Sequence, residues 1–331
     1  MRAALEAWLT RRWYGGVAPG PGLRALAALN GALLRVRDAA YRRGWRAVHR
    51  LPVPVLVIGN FVAGGTGKTP LTIAIARDLA DRGWRPGIVS RGYGRRGAAA
   101  VRVHAETAAS VSGDEPLLIA RRTGLPVQVD RDRVAAARAL VGDGCTLIIA
   151  DDGLQHRRLG RDVEIEVIDG ARRHGNGRLI PAGPLREPVA RRVDLRVVNG
   201  GTPDDGEWPM SLVLDGAEPL AGGPPRALAS FAPGPVHAVA GIGHPERFFD
   251  ALRAEGIEVV PHPFPDHHDY AARDLAFAPR LPHLTTEKDA VKWPTAARED
   301  AWAVPARAQL PAGFFDALHG LLAARRSDAV P

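Results

Sequence analysis

Cysteine and lysine are nearly absent from this chain of 331 residues. Its one cysteine, Cys145, excludes a disulfide framework and a cysteine-rich metal site, and its place in "CTLIIADD" assigns it to packing. Of the 44 Lys+Arg residues only Lys68, Lys288 and Lys292 are lysine. No apolar run reaches the roughly 18–20 residues of a membrane-spanning helix. Arginines interrupt the N-terminal apolar stretches, so no secretory signal is visible. No RNA-recognition aromatic pair, zinc finger or other nucleic-acid module occurs. What is present is a hydrophobic fraction of 46%, normal for a globular protein, in a chain long enough for two ordinary domains. The net charge of +8 favours acidic partners, such as an anionic membrane surface or a phosphorylated substrate.

The scarcity of lysine gives weight to the lysines that persist. A compact ammonium and a planar guanidinium are not interchangeable where a phosphate must be approached closely. Lys68 lies in "GNFVAGGTGKTP" (59–70). Gly67, Lys68 and Thr69 match the end of the phosphate-loop pattern G-x-x-x-x-G-K-[ST]. Val62 stands where the first glycine of that pattern belongs, and Gly64 and Gly65 supply flexible backbone instead. The β-branched run before the loop predicts a buried strand. The helical spacing after it, with Pro70 in the first turn, predicts a helix. Strand, glycine-rich turn and helix N-terminus together turn backbone N–H groups and a helix dipole toward an anion. Lys288 and Lys292 share "TTEKDAVK", and the sequence assigns them no role.

From 51 to 200 the pattern alternates, with strands predicted at 53–58, 86–90, 126–129, 145–150, 163–168 and 193–198. Helices are predicted at 69–82, 114–123 and 131–142. Such alternation implies an α/β fold with a mostly parallel sheet. A Gly- and Pro-rich linker with a strand at 210–214 follows, then a smaller βαβ unit. The expected organisation is an N-terminal amphipathic region (1–50), a nucleotide-loop domain (51–205), a linker (206–235) and a smaller C-terminal α/β domain (236–331). In the N-terminal region, Leu26, Leu33 and Ala40 form a helical stripe flanked by Leu23, Leu34 and Tyr41, with Arg24, Arg35, Arg42 and Arg46 opposite and Trp8, Trp13 and Trp45 nearby. Arg37 falls within the apolar stripe. Two readings stand: a basic amphipathic helix in a membrane interface, or a helix packing its apolar side on its own domain.

Several polar groups lie at predicted strand ends. Asp151 and Asp152 follow the run "CTLIIA", where nucleotide-hydrolysing folds hold Mg²⁺, with Thr69 taking the ion from the loop side. His156 and Arg157 lie just beyond. Arg91 belongs to "SRGYGRRG", a basic glycine-rich loop suited to an anion. Arg186 and Glu187 lie in "GNGRLIPAGPLREP" (175–188), a loop of the kind that places polar residues at a ligand. Asp114 in "SGDEP" fits either a helix cap or a base. The cluster Asp266–His267–His268–Asp269 fits either a metal site or, through a His–carboxylate pair, proton transfer.

Taken in order, "GNFVAGGTGKTP", "SRGYGR", "SGDEP", "DDGLQHRRL", "GNGRLIPAGPLREP", "AVAGIGHPERFF", "FPDHHDY" and "TTEKDAVK" resemble the tetraacyldisaccharide 4′-kinases, the lipid A 4′-kinases of Gram-negative bacteria. The resemblance covers about residues 50–295, accepts Val62, and departs at His244, where the family often has Asn. It implies a P-loop NTPase-like parallel-sheet domain plus a smaller α/β domain joined by a β linker, with the active site in the cleft between them. It implies ATP- and Mg²⁺-dependent phosphorylation of the 4′-hydroxyl of a lipid A disaccharide 1-phosphate, forming lipid IVA. Gly64, Gly65, Thr66, Gly67, Lys68 and Thr69 would bind ATP, and Thr69 and Asp152, with Glu187 contributing, would hold Mg²⁺. Lys68 and Asp152 would serve catalysis; Arg91, His156, Arg186 and Asp266 would contact substrate or phosphate. The carboxylate matching Asp114 would be the base, supported by the imidazole matching His267, with domain closure joining the two. The resemblance further implies peripheral attachment to the cytoplasmic face of the inner membrane; no nucleic-acid partner is expected, and no obligate protein partner is evident from the sequence. The rival reading is a membrane-associated P-loop switch ATPase with no lipid acceptor, which would have no use for the motifs after residue 170.

Overall fold

A computed structural model describes residues 2–297 and 299–327, with side chains from Trp8 to Arg325 apart from residue 298. The outermost ends of the expected 1–50 and 236–331 regions lie outside the described residues. The chain forms two compact units, each assembled from separated segments: residues 1–91, 125–211 and 310–331 in the first, and residues 92–124 and 212–309 in the second.

In the first unit a parallel sheet runs in the spatial order Glu207–Leu214, Leu195–Asn199, Val163–Asp169, Val55–Gly59, Leu147–Asp151, Pro86–Ser90, Val127–Val129. The central strands are buried along their whole length, as the continuous apolar runs require when helices cover a sheet on both sides. The helix Lys68–Asp81 buries Leu71, Ile75, Ala76 and Leu79, spaced so that they share one face. The helix Arg133–Gly142 is capped by Asp132, whose side chain accepts from the N–H groups of Val134 and Ala135. The C-terminal helix Ala312–Ser327 belongs to this unit, with Phe314 edge-on to Trp208 at 5.9 Å.

The N-terminal helices Arg2–Tyr14 and Pro21–Arg42 lie on the loop of residues 175–188. Trp13 Nε1 donates to the carbonyl of Pro181 at 3.1 Å, and Asn30 Nδ2 to that of Ile180 at 2.9 Å. Ala27 is buried, and Arg37 turns inward to Glu187 at 2.7 Å. Leu26, Leu29, Leu33 and Val36 are therefore left outside, each 55–67% exposed. Of the expected stripe, Leu26 and Leu33 are thus exposed, while Ala40 and the flanking Leu23, Leu34 and Tyr41 are half-buried. The helix is held by a side that mixes Asn30 and Arg37 with Ala27, and it shows Leu26, Leu29, Leu33 and Val36 to the exterior.

The second unit carries a smaller sheet in the order Glu258–Pro263, Pro235–Ala240, His283–Thr286, Ala301–Val304, Glu218–Pro219, parallel except for the last pairing. Its core gathers Phe248, Phe249 and Leu252 of the helix Pro245–Ala254 with Val236, Ala238, Leu284 and Trp302. The helix Asp114–Thr123 belongs here, tied by Arg122 to Glu287 at 3.2 Å. This differs from the continuous 51–205 and 236–331 domains expected from the sequence. Segment 92–124 leaves the parallel sheet after Ser90 and returns at Val127, and its amphipathic helix has the same apolar spacing wherever it packs.

Candidate active site

The loop between Gly59 and Lys68 is shaped by side chains from three directions. Asn60 Nδ2 donates to the carbonyl of Gly64 at 3.1 Å, Gln155 Nε2 to that of Asn60 at 3.1 Å, and Asn199 Nδ2 to that of Thr66 at 3.1 Å. Gly67 opens the helix at φ 94°, and a Cβ there would lie 2.6 Å from Asn199 Nδ2, so only glycine fits. Val62 is buried and bridges to Leu185, while Ala63 N–H donates to Pro184 and Arg186 N–H to Phe61. The backbone at the missing glycine is thus engaged with the 175–188 loop, and the glycine turn begins two residues later, at Gly64.

That contact delivers Arg186. Its Nη1 lies 3.1 and 3.2 Å from the two oxygens of Asp152, which Lys68 Nζ approaches to 3.7 Å. Burial pushes the Asp152 carboxyl up, but Lys68 and Arg186 outweigh it and hold the group below its usual range. Asp152 sits in left-handed backbone at φ 50°, a cost tolerated where the surrounding structure fixes a functional group. The neighbouring Asp151 is buried and accepts from Thr72 Oγ1 at 3.1 Å. Thr69, Asp151 and Asp152 supply hard oxygen donors of the kind Mg²⁺ takes.

Glu187 does not fit the metal role expected of it. It is fully buried, with Oε1 accepting from Arg37 at 2.7 Å and Oε2 from Arg191 at 2.8 Å and Arg157 at 3.4 Å. Three guanidinium groups saturate its oxygens. His156 is also turned to structure: Arg133 Nη1 lies 3.4 Å from its Nδ1, and burial followed by that guanidinium pushes the imidazole down to about 4. Arg91 is exposed just beyond the strand Pro86–Ser90.

In the second unit, Gly113, at φ 90°, starts the helix that begins with Asp114. Asp114 is buried, and its Oδ2 lies 2.9 Å from His267 Nδ1 and 3.7 Å from Lys292 Nζ. Its Oδ1 accepts the Glu115 N–H at 2.9 Å. Burial raises the carboxyl, but the His267 hydrogen bond and the nearby Lys288 and Lys292 bring it down to about 2, so it is an anion at neutral pH. His267 is held at φ 60° with its ring tilted on Tyr93 at 5.0 Å. The Asp114–His267 bond lies within one compact unit, so no domain closure is needed to form it. Asp266 pairs with Lys288 at 3.2 Å, and Lys292 with Asp289 at 3.0 Å. His268 turns away to Asp274, and among the described residues no cluster of three or more His, Cys, Asp or Glu is arranged to hold a metal ion.

The expected residues therefore fall into two sets. Residues 64–69, Asp152 and Arg186 gather on the first unit, and Asp114, Asp266 and His267 on the second. Sequence reasoning missed Asn60, Gln155 and Asn199, which stand at strand ends or in a loop, and Arg133, which opens the helix Arg133–Gly142. The rarity of lysine marked Lys288 and Lys292 without giving their partners.

A phosphate loop opening a helix, with an aspartate beside its lysine at the end of the adjacent strand, defines a P-loop phosphotransferase. A family model described as Tetraacyldisaccharide-1-P 4′-kinase matches residues 21–323. The tetraacyldisaccharide 4′-kinase of Stenotrophomonas maltophilia is 56% identical over 318 residues, covering 92% of this chain and 94% of its own. That of Xanthomonas campestris pv. campestris is 54% identical over 340 residues, covering 96% and 97%. The crystal structure of "apo" form LpxK from Aquifex aeolicus in complex with ATP superposes with a TM-score of 0.75 at 27% identity, covering 90% of this chain and 98% of that one. The chain belongs to the tetraacyldisaccharide 4′-kinase family, kinases of lipid A biosynthesis that transfer phosphate to a 4′-hydroxyl.

Proposed function

We propose that this chain phosphorylates the 4′-hydroxyl of a lipid A disaccharide 1-phosphate with the γ-phosphate of ATP, using Asp114 as the base. The observation that carries the base assignment is the buried Asp114 carboxylate, hydrogen-bonded by His267 and kept ionised by two lysines. The 4′-oxygen forms a bond to the γ-phosphorus, the bond from that phosphorus to the β-phosphate oxygen breaks, and ADP leaves. The hydroxyl proton passes to Asp114. A carboxylate this weakly basic suits a loose transition state, in which the hydroxyl becomes acidic only as its bond to phosphorus forms. Backbone N–H groups of residues 64–69 cradle the phosphates, and Lys68 and Arg186 offset their charge. Mg²⁺, when bound, neutralises phosphate charge; Thr69 and Asp152 are the residues to hold it. Asp152 also fixes Lys68 and Arg186 through ion pairs.

The exposed stripe of Leu26, Leu29, Leu33 and Val36, with the exposed Arg24, Arg35 and Arg42 on the same helix, supports a peripheral seat on an anionic membrane surface. Among the described residues no helix is long and apolar enough to cross a membrane. ATP consumption with and without a disaccharide lipid 1-phosphate tests the function. Acceptor-dependent ADP formation with a lipid product heavier by one HPO₃ group is expected. ADP release without lipid modification would instead support a switch ATPase.

A further inference from the structure

The two lysines of "TTEKDAVK" end beside the proposed base, and one of them touches its histidine. Lys288 Nζ lies 3.0 Å from Glu115 Oε1, 3.2 Å from Asp266 Oδ1 and 3.4 Å from His267 Nε2. An ammonium has three donors and no acceptor, and here it meets three acceptors. We propose that Lys288 is a positioning residue that fixes His267 as the neutral tautomer with its proton on Nδ1, aimed at Asp114.

A donor that cannot accept requires a lone pair on the atom it faces, so Nε2 is unprotonated and Nδ1 carries the hydrogen. That N–H then donates to Asp114 Oδ2 at 2.9 Å. Burial pulls the Lys288 ammonium down, but Glu115, Asp266 and Asp114 outweigh it and hold the group well above its ordinary value, so it stays a cation. The charged groups around the ring are Asp114, Asp266 and Lys288, with Lys292 and Glu115 behind them. Asp266 Oδ1 lies 3.8 Å from Nε2 on the same side as the ammonium. Without the lysine, Nε2 faces that carboxylate, and the ring takes a second proton to bridge two anions. An imidazolium on Asp114 would bind the carboxylate too tightly for it to receive the hydroxyl proton. Lys288 thus excludes the wrong charge state of the histidine, a role that a merely structural ion pair would not have.

This inference rests on the reading of Asp114 and His267 as the reacting pair, and the test separates the two. The probe is the full chain labelled with ¹⁵N in its histidines, with the His267 signals assigned through His267→Asn. In the native protein near neutral pH, Nε2 should give a pyridine-type signal and Nδ1 a pyrrole-type one. Lys288→Met should convert both to the imidazolium pattern and lower kcat at least tenfold with KM for ATP unchanged. Lys288→Arg, which keeps a cationic donor, should retain the native pattern. A proton on Nε2 in the native protein overturns the proposal, even if Lys288→Met does not fold. So does an unchanged ring pattern in folded Lys288→Met. If the ring pattern changes but kcat does not, and Asp114→Asn also keeps its kcat, the tautomer assignment holds and the base reading fails.

Discussion

Replacing Glu187 with Gln separates a structural carboxylate from a metal donor. The change is nearly isosteric, and it leaves Arg37, Arg157 and Arg191 around a neutral amide. Removing one partner of a buried ion pair typically costs 3–5 kcal/mol, because the opposite charges remain without compensation. Here the arginines keep other partners: Arg37 and Arg157 retain Asp38, and Arg191 retains Glu164. Their side chains are also 13–25% exposed. Both facts put the cost at the lower end, about 3 kcal/mol. At about 2–4 °C per kcal/mol for a unit of this size, the unfolding midpoint should fall by roughly 6–12 °C. Calorimetry in EDTA and in excess Mg²⁺ should show the same drop. An unchanged midpoint, with turnover requiring more Mg²⁺, would refute the structural assignment and restore Glu187 to the metal.

Three further outcomes follow from the geometry. His156 is held down to about 4 against an ordinary 6.5, so its contribution is complete above pH 6.5 and is lost as pH falls toward 4. His156→Gln should flatten that fall in unfolding free energy by about 3 kcal/mol, and an unchanged slope would place the acid sensitivity elsewhere. Gly67→Ala, with its Cβ driven into Asn199, should cost about 1–3 kcal/mol and weaken ATP binding measured by calorimetry; native affinity would show that the loop is not the nucleotide's cradle. Leu29→Asp with Leu33→Asp should reduce sedimentation with phosphatidylglycerol-containing vesicles without changing the unfolding midpoint. Unaltered sedimentation contradicts the membrane-facing role of that stripe.

Much of the parallel sheet was legible because its strands are apolar runs bounded by glycine and proline. The helices predicted at 69–82, 114–123 and 131–142 correspond to Lys68–Asp81, Asp114–Thr123 and Arg133–Gly142. The phosphate loop was legible because it needs glycine where φ is positive and lysine where a phosphate is met. Unit membership was not legible, since the helix Asp114–Thr123 presents the same apolar face to any neighbour. Glu187 was misread for a related reason: a carboxylate in a polar loop resembles a ligand until its three arginines, from positions 37, 157 and 191, are brought to it. Long-range charge pairing leaves no local trace in a chain where nearly every cation is arginine.

Asp114, held by His267, is the group we propose receives the hydroxyl proton. Single-turnover phosphoryl transfer by Asp114→Asn, with ATP affinity measured on the same sample, tests this most directly. The expected result is native ATP affinity with transfer slowed by about 10²–10⁴, the usual contribution of a general base. Transfer near the native rate in the folded variant would contradict it.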